Sequence, residues 1–339
     1  MKIGFTHRAD SIGGPGSFQS RLIKELENSG WQSVYPKDGV RPDVILVIGG
    51  SRRILWLLWY KYTGCKIVHR LDGINWRHRV LKVSLRYKIV SEIRNFLARI
   101  VRRYLADAVI YQSEFVREWW NSEYGVTRCR SVIIHNFVDF KEFMPRQKHD
   151  LRPPIIICAE SQVVNDPISR VIIRNLSERL CVEGRVGGIH IIGGLGASEM
   201  KDWARLPGVK LIGQVSRQEM PALFRQGDIF LNLDVNAACP NAVIEAMATG
   251  LPVVGFRTGA LEEMVPESAG ALANYGGDPW KLEQPDCEDL VAKICYVIAN
   301  LEQMRRGARS VASAKFNPRY VVDKYRNILD PRENLKSNA

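Results

Sequence analysis

The stretch Cys239-Pro240-Asn241-Ala242-Val243-Ile244-Glu245-Ala246-Met247-Ala248-Thr249-Gly250-Leu251-Pro252-Val253-Val254 decides how this 339-residue chain folds. Proline is suited to the first turn of a helix, where its missing N–H leaves nothing unbonded, and glycine to the position just past the end. Pro240 and Gly250 therefore bracket a helix from Asn241 to Thr249, and Pro252 forces the restart into a strand at Val253. That punctuation places Glu245 early on a helix that begins at the carboxyl edge of a sheet. A carboxylate there can accept hydrogen bonds from two neighbouring hydroxyls, as the holding of a ribose requires. Just downstream, Gly255-Phe256-Arg257-Thr258-Gly259-Ala260-Leu261-Glu262-Glu263 reads as a strand, a small-residue turn and a helix start. Backbone N–H groups at such a turn can take a diphosphate. The two segments together predict a nucleotide-diphosphate pocket that needs no metal.

Outward from this block the chain alternates β-branched runs with helical periodicity. Before it come Ile155–Ala159, a helix about Ser169–Val182, Gly188–Ile192, Val209–Ile212, a helix about Arg217–Arg225 and Ile229–Leu233; after it come helical patterns over 286–301 and 318–329. The first half repeats the arrangement with Ile3–Thr6, a helix about Ser17–Ser29, Val44–Ile48, Lys66–His69, Ala108–Gln112 and Ser131–His135. Strand–helix alternation of this kind predicts parallel sheets covered by helices on both faces. The charged, proline-containing stretch 144–154 interrupts it and reads as a linker. The expected organisation is a doubly wound domain over 1–150, a second over 151–330 whose last helix packs back on the first, and a polar tail over 331–339. Ligands of open α/β sheets bind outside the carboxyl ends of the strands, so the site is expected between the two domains.

Composition narrows the function. With 46% apolar and 25% charged residues the chain is an ordinary globular protein. Its longest apolar run, Ile54–Tyr60, falls far short of the ~20 residues a bilayer span takes, and Met1–Arg8 reads as a first strand rather than a signal peptide. Seven widely spaced cysteines without a Cys-x-x-Cys, and six scattered histidines, point to a reduced cytoplasm and no dedicated metal site. The net charge of +12 is confined to one half: residues 1–150 hold 26 Lys+Arg against 14 Asp+Glu. Between Arg77 and Arg103 nine cations face the single acid Glu92, interleaved with apolar residues in helical period. This stripe predicts a helix that meets an anionic membrane surface. No nucleic-acid reader motif accompanies it, so nucleic acid is not an expected partner.

These segments resemble, over almost the whole chain and in the same order, the retaining nucleotide-sugar glycosyltransferases of glycosyltransferase family 4. The resemblance is carried by Gly13-Gly14-Pro15-Gly16-Ser17-Phe18, Val68-His69-Arg70-Leu71-Asp72-Gly73, the segment from Ile134 to Phe143, that from Val209 to Ser216, and the block around Glu245. It implies an α/β GT-B fold, two Rossmann-like doubly wound domains facing a cleft. It also implies transfer of a sugar from a nucleoside-diphosphate sugar to a glycan or lipid-linked acceptor, with retention of configuration and no metal or other cofactor. Carried over by position, Glu245 holds the donor ribose, Gly259 and Ala260 the diphosphate, Gly14 and Gly16 the donor phosphate or acceptor, and His69 the transferred sugar. Arg70 and Asp72 are the candidate acceptor contacts. A cytoplasmic enzyme of cell-surface polysaccharide or glycan assembly, peripheral at the inner membrane face, is the reading that follows.

The sequence departs from the family in two places. A second glutamate, often found eight residues before the one matching Glu245, is here Ala237, and the stretch Cys158–Asp166 lacks the usual Arg and Lys that neutralise the diphosphate. Arg170, Arg257 and Arg8 are the candidate replacements. The alternatives to a transferase are a catalytically degenerate GT-B binding protein or a sugar-nucleotide epimerase on the same fold.

Overall fold

The computed structural model describes residues 1–8, 14–147, 152–159, 167–194 and 203–331. They divide into two compact units, Met1–Phe137 with the C-terminal segment from Pro318, and Val138–Asn317. The division lies upstream of the position expected near 150. The physical reason is that the linker packs on the second unit: the ring of Phe143 lies 6.0 Å from that of Phe224, and Arg146 bonds Asp228 at 2.9 Å.

The first unit is built on β1 (Lys2–Phe5), β2 (Gln32–Val34), β3 (Val44–Ile48), β4 (Lys66–Leu71), β5 (Ala108–Tyr111) and β6 (Arg130–Ile133), in the order β2-β1-β3-β4-β5-β6. Every pairing is parallel. Successive side chains of a strand face opposite ways, and the two faces fill two cores. Val44, Leu46 and Val68 pack with Phe18 and Leu22 of the helix Gly14–Glu27 and Tyr325 of the helix Pro318–Leu329. Ile45, Val47 and Ile67 pack instead against Leu57 of the helix Ile54–Tyr62 and Val101 and Leu105 of the turn Val101–Leu105. Buried on both sides, β3 is a continuous apolar run, as parallel strands are.

The second unit holds β7 (Ile155–Ala159), β8 (Gly188–Ile192), β9 (Val209–Gly213), β10 (Ile229–Asn232), β11 (Val253–Phe256) and β12 (Gly270–Ala273), in the order β12-β11-β10-β7-β8-β9, again all parallel. Ile156, Ile189, Leu231 and Val254 pack under Ile172 of the helix Pro167–Leu176 and Ile294 of the helix Cys287–Ala299. Two short edge strands, β2 and β12, escape sequence reading. β12 is Gly-Ala-Leu-Ala, poor in strand-forming residues, and a Cβ on Gly270 would stand 2.0 Å from the carbonyl oxygen of Val253, so close pairing with β11 selects glycine there. The helices Glu114–Tyr124 and Leu301–Lys315 are also additions to the expected series.

Candidate active site

In the second sheet the chain runs outward from β7 in both directions, and the carboxyl ends of β10 and β11 lie on one side of that reversal, where ligands of such sheets bind. The helix after β10 spans Asn241–Ala248, starts on Pro240 and ends with Gly250 in the left-handed region at φ 81°. Glu245 is its fifth residue and is buried, yet its Oε1 meets Nη2 of Arg217 at 3.2 Å. The turn after β11 is stapled to the loop after β10. Thr258 Oγ1 accepts from the Asn236 N–H at 3.3 Å, and the Ala260 N–H donates to the Ala237 carbonyl at 2.8 Å. Gly259 sits between them at φ 60°, and a Cβ there would stand 2.5 Å from the Ala237 nitrogen. Only glycine fits both the dihedral and the space.

This geometry corrects one expectation. The Ala260 N–H is already bonded within the protein, so of the two backbone donors expected for a diphosphate, Gly259's alone has no acceptor among the described residues. Arg257 pairs with Glu262 at 2.6 Å on the surface. Arg170, on the helix Pro167–Leu176, is half-buried and makes no ion pair among the described residues. Residues 160–166, where the family's cations are missing from the sequence, lie outside the described residues, as does Gly13. Gly14 and Gly16, expected in a loop, form the first turn of the helix Gly14–Glu27. Arg8 pairs with Asp38 at 3.5 Å.

In the first unit His69, on β4, is fully buried. A carbonyl can only accept, so its Nε2 carries the proton and donates to Gly49 O at 2.7 Å, while Nδ1 has no partner among the described residues. Burial, aided by the charge of Arg102, lowers its pKa to about 4 against the carbonyl bond that opposes it, so the ring is neutral at physiological pH. Arg70 is 1% exposed and committed: Nε donates to Tyr325 Oη at 3.1 Å, Nη1 to Asp72 Oδ1 at 2.7 Å and Nη2 to Asn136 Oδ1, with Phe18 stacked under it at 3.8 Å. It is therefore a positioning residue for Asp72 rather than an acceptor contact. Asp72, also bonded by Gln112 Nε2, stays partly exposed at the carboxyl end of β4.

The basic stripe is corrected too. Arg102 is buried, donating to Tyr111 Oη at 2.9 Å, Asn121 Oδ1 at 2.8 Å and Gly125 O at 2.7 Å, and Arg79 is paired with Glu92 and Glu123. The helix Leu85–Ile100 turns Ser91, Asn95 and Ala98 inward, with Asn95 bonding the backbone of Asn75 on both its N–H and C=O. Leu85, Ile89, Ile93 and Phe96, spaced to share one face, are exposed beside Arg86, Lys88 and Arg99.

Family models match both halves of the chain. Residues 12–142 match the family described as Glycosyltransferase Family 4, and residues 167–300 match Glycosyl transferases group 1. The chain thus carries a Glycosyltransferase Family 4 domain followed by a Glycosyl transferases group 1 domain. A segment of 128 residues is 34% identical to a subunit of human phosphatidylinositol N-acetylglucosaminyltransferase, covering 38% of this glycosyltransferase and 24% of that protein. The matches span 22% to 38% of the curated relatives' own length. In fold the glycosyltransferase is similar to sucrose-phosphate synthase from Thermosynechococcus elongatus, with a TM-score of 0.74 and 15% identity over 100% of both chains. It is likewise similar to Anabaena HepE, solved with UDP and glucose, at a TM-score of 0.69 and 15% identity over 97% of this chain and 99% of that one. Its two sheets are those of the GT-B fold.

Sequence reading of this glycosyltransferase missed Arg217. The residue directly follows the quoted segment Val209–Ser216, but the loop that carries it to Glu245 leaves no periodic signal.

Proposed function

We propose that this glycosyltransferase is an active hexosyltransferase. It would take a sugar from a nucleoside-diphosphate donor and pass it, with retention of configuration and without a metal, to a glycan or lipid-linked acceptor in cell-surface glycan assembly. The observation that carries the reading is the pairing of Glu245 with the Gly259 turn at the carboxyl ends of adjacent strands β10 and β11. A buried carboxylate for two ribose hydroxyls beside a glycine N–H for a phosphate is a nucleotide-diphosphate grip. Arg217 fixes the rotamer of Glu245, and Arg170 and Arg257 are the cations on this unit assigned to the departing diphosphate. The neutral His69 is enclosed, so it would position the end of β4 rather than touch the sugar, and the partly exposed Asp72 orients the acceptor. The Anabaena neighbour's UDP and glucose, and the phosphatidylinositol in the human relative's name, favour this assignment.

The test is calorimetry of UDP, GDP, ADP and their common sugars, with and without EDTA. One nucleotide is expected to bind in EDTA, and Glu245→Ala is expected to weaken it by about 10- to 100-fold, the worth of hydrogen bonds to a charged group. No binding at millimolar concentration would sink the enzyme reading in favour of a degenerate binding protein, and turnover of the donor without acceptor would favour an epimerase.

The exposed apolar row of the helix Leu85–Ile100, flanked by cations, supports peripheral attachment to the anionic cytoplasmic face of a membrane. Leu55, Trp59 and Tyr62 of the helix Ile54–Tyr62, 84%, 64% and 89% exposed, extend the apolar character. No helix among the described residues is long and apolar enough to cross a membrane. Ile93→Glu with Phe96→Glu is expected to abolish co-sedimentation with vesicles containing phosphatidylglycerol while leaving the melting temperature unchanged; co-sedimentation equal to wild type refutes the attachment.

A further inference from the structure

The carboxyl ends of β1, β2 and β3 form a cleft of about 460 Å³ that the donor grip and His69 leave unused. Its position is informative. The first sheet runs β2-β1-β3, so the strand order reverses beside β1, and the crevice outside such a reversal is where α/β sheets take ligands. Each strand contributes a cation from the segment that follows it: Arg8 after β1, Lys37 after β2, and Arg52 and Arg53 after β3. Two buried hydroxyls, Thr6 and Ser51, line it as well, beside His7 and Tyr35. Ser51 Oγ accepts the Arg53 N–H at 3.1 Å, leaving its own proton to donate.

The charge is unbalanced. Asp38 pairs with Arg8 at 3.5 Å, and Arg8 also stacks on the Tyr35 ring at 4.7 Å. Lys37, Arg52 and Arg53 make no ion pair among the described residues. Like charges gathered in a cleft repel one another and are tolerated where an anion is to be drawn in. Guanidinium forks match the several oxygens of a phosphate better than a single carboxylate oxygen, and the volume has room for a phosphate and an attached ring.

We propose that this cleft binds the phosphate of a phosphate-bearing acceptor, a sugar phosphate or the headgroup of a phospholipid, with Arg52 and Arg53 as its principal ligands. The word acceptor rests on the transferase reading above; the binding of phosphate does not. Arg53 directly precedes the exposed apolar helix Ile54–Tyr62, so a headgroup could be taken at a membrane surface as readily as a soluble phosphate.

The test uses the full chain and two probes. Calorimetry measures glucose 6-phosphate against glucose, and co-sedimentation measures phosphatidylcholine vesicles with and without 20 mol% phosphatidylinositol, a composition of about one anionic lipid in five. Each is run on wild type, on Arg52→Ala/Arg53→Ala, and on Arg128→Ala/Lys141→Ala, which removes the same charge elsewhere; UDP affinity is read in every sample. The expected result is binding of at least one phosphate-bearing probe, weakened at least about tenfold by Arg52→Ala/Arg53→Ala and kept by the other double variant. Binding of glucose 6-phosphate assigns a soluble acceptor, and binding confined to phosphatidylinositol vesicles assigns a lipid headgroup. The proposal is overturned if wild type binds neither probe, or if both double variants behave alike. Loss of UDP binding with phosphate binding intact would instead remove the transferase reading and leave the cleft.

Discussion

A histidine enclosed on every side holds a proton at a high desolvation cost, and His69 is that case, with its pKa lowered to about 4. The unfolded chain protonates the same ring near 6.5, so the unfolded state binds more protons in the window between. The full contribution of the neutral ring is thus present above pH 6.5, declines as pH falls toward 4 and is lost below it. The decline is expected to reach about 3 kcal/mol, and urea unfolding from pH 7 to 4 should show it. His69→Gln should flatten that slope; an unchanged slope would mean other groups carry it. Glu245 and Gly259 were legible residue by residue, because proline and glycine punctuate the helix and the turn that hold them. Arg217 and the occupied Ala260 N–H were not, since each depends on a contact between loops far apart in the chain.

Periodicity found the helix Leu85–Ile100, but not which side of it faces in. An amphipathic helix ordinarily buries its apolar stripe, whereas here Asn95 ties the polar side to Asn75 and the apolar row is left outside. A helix's inward face is chosen by what it packs against, which no single helix encodes. The linker shows the same limit. Asp228, at the amino end of β10, is buried and accepts from Arg146, Arg152 and Arg305 and from the Ile155 N–H at 2.9 Å. One acid thereby joins the linker, β7 and the helix Leu301–Lys315. Asp228→Asn should weaken three guanidinium pairs at once, Arg305 keeping Glu302, and cost about 3–5 kcal/mol, the range for breaking a buried ionic cluster. Chemical denaturation checks it, and a loss below about 1 kcal/mol would show that the arginines reach water instead.

The two units have separate sheets and separate cores, and the chain returns to the first only at its end. Val321, Val322, Tyr325, Ile328 and Leu329 are buried in the first core, and Asp330 O accepts from Lys66 Nζ at 2.7 Å. Exposing five such side chains forfeits about 1.5–3 kcal/mol each, as much as the ~5–15 kcal/mol that keeps a domain folded. Deletion of Pro318–Ala339 should therefore unfold the first unit and spare the second. Limited proteolysis is expected to leave a resistant fragment beginning near Val138, and two intact units would show that the final helix is dispensable.

By itself the sequence determined the doubly wound class, two successive strand–helix series and the helix and turn that carry Glu245 and Gly259, because local periodicity and the dihedral demands of proline and glycine act over a few residues. It also placed the excess positive charge in the first half. Tertiary structure alone decided that Arg70 is buried behind Asp72, that Arg102 leaves the basic stripe for the core, and that Arg8, Lys37, Arg52 and Arg53 meet in one cleft. Those outcomes depend on strand order, and strand order is settled by how whole sheets bury their two faces rather than by any short stretch of chain.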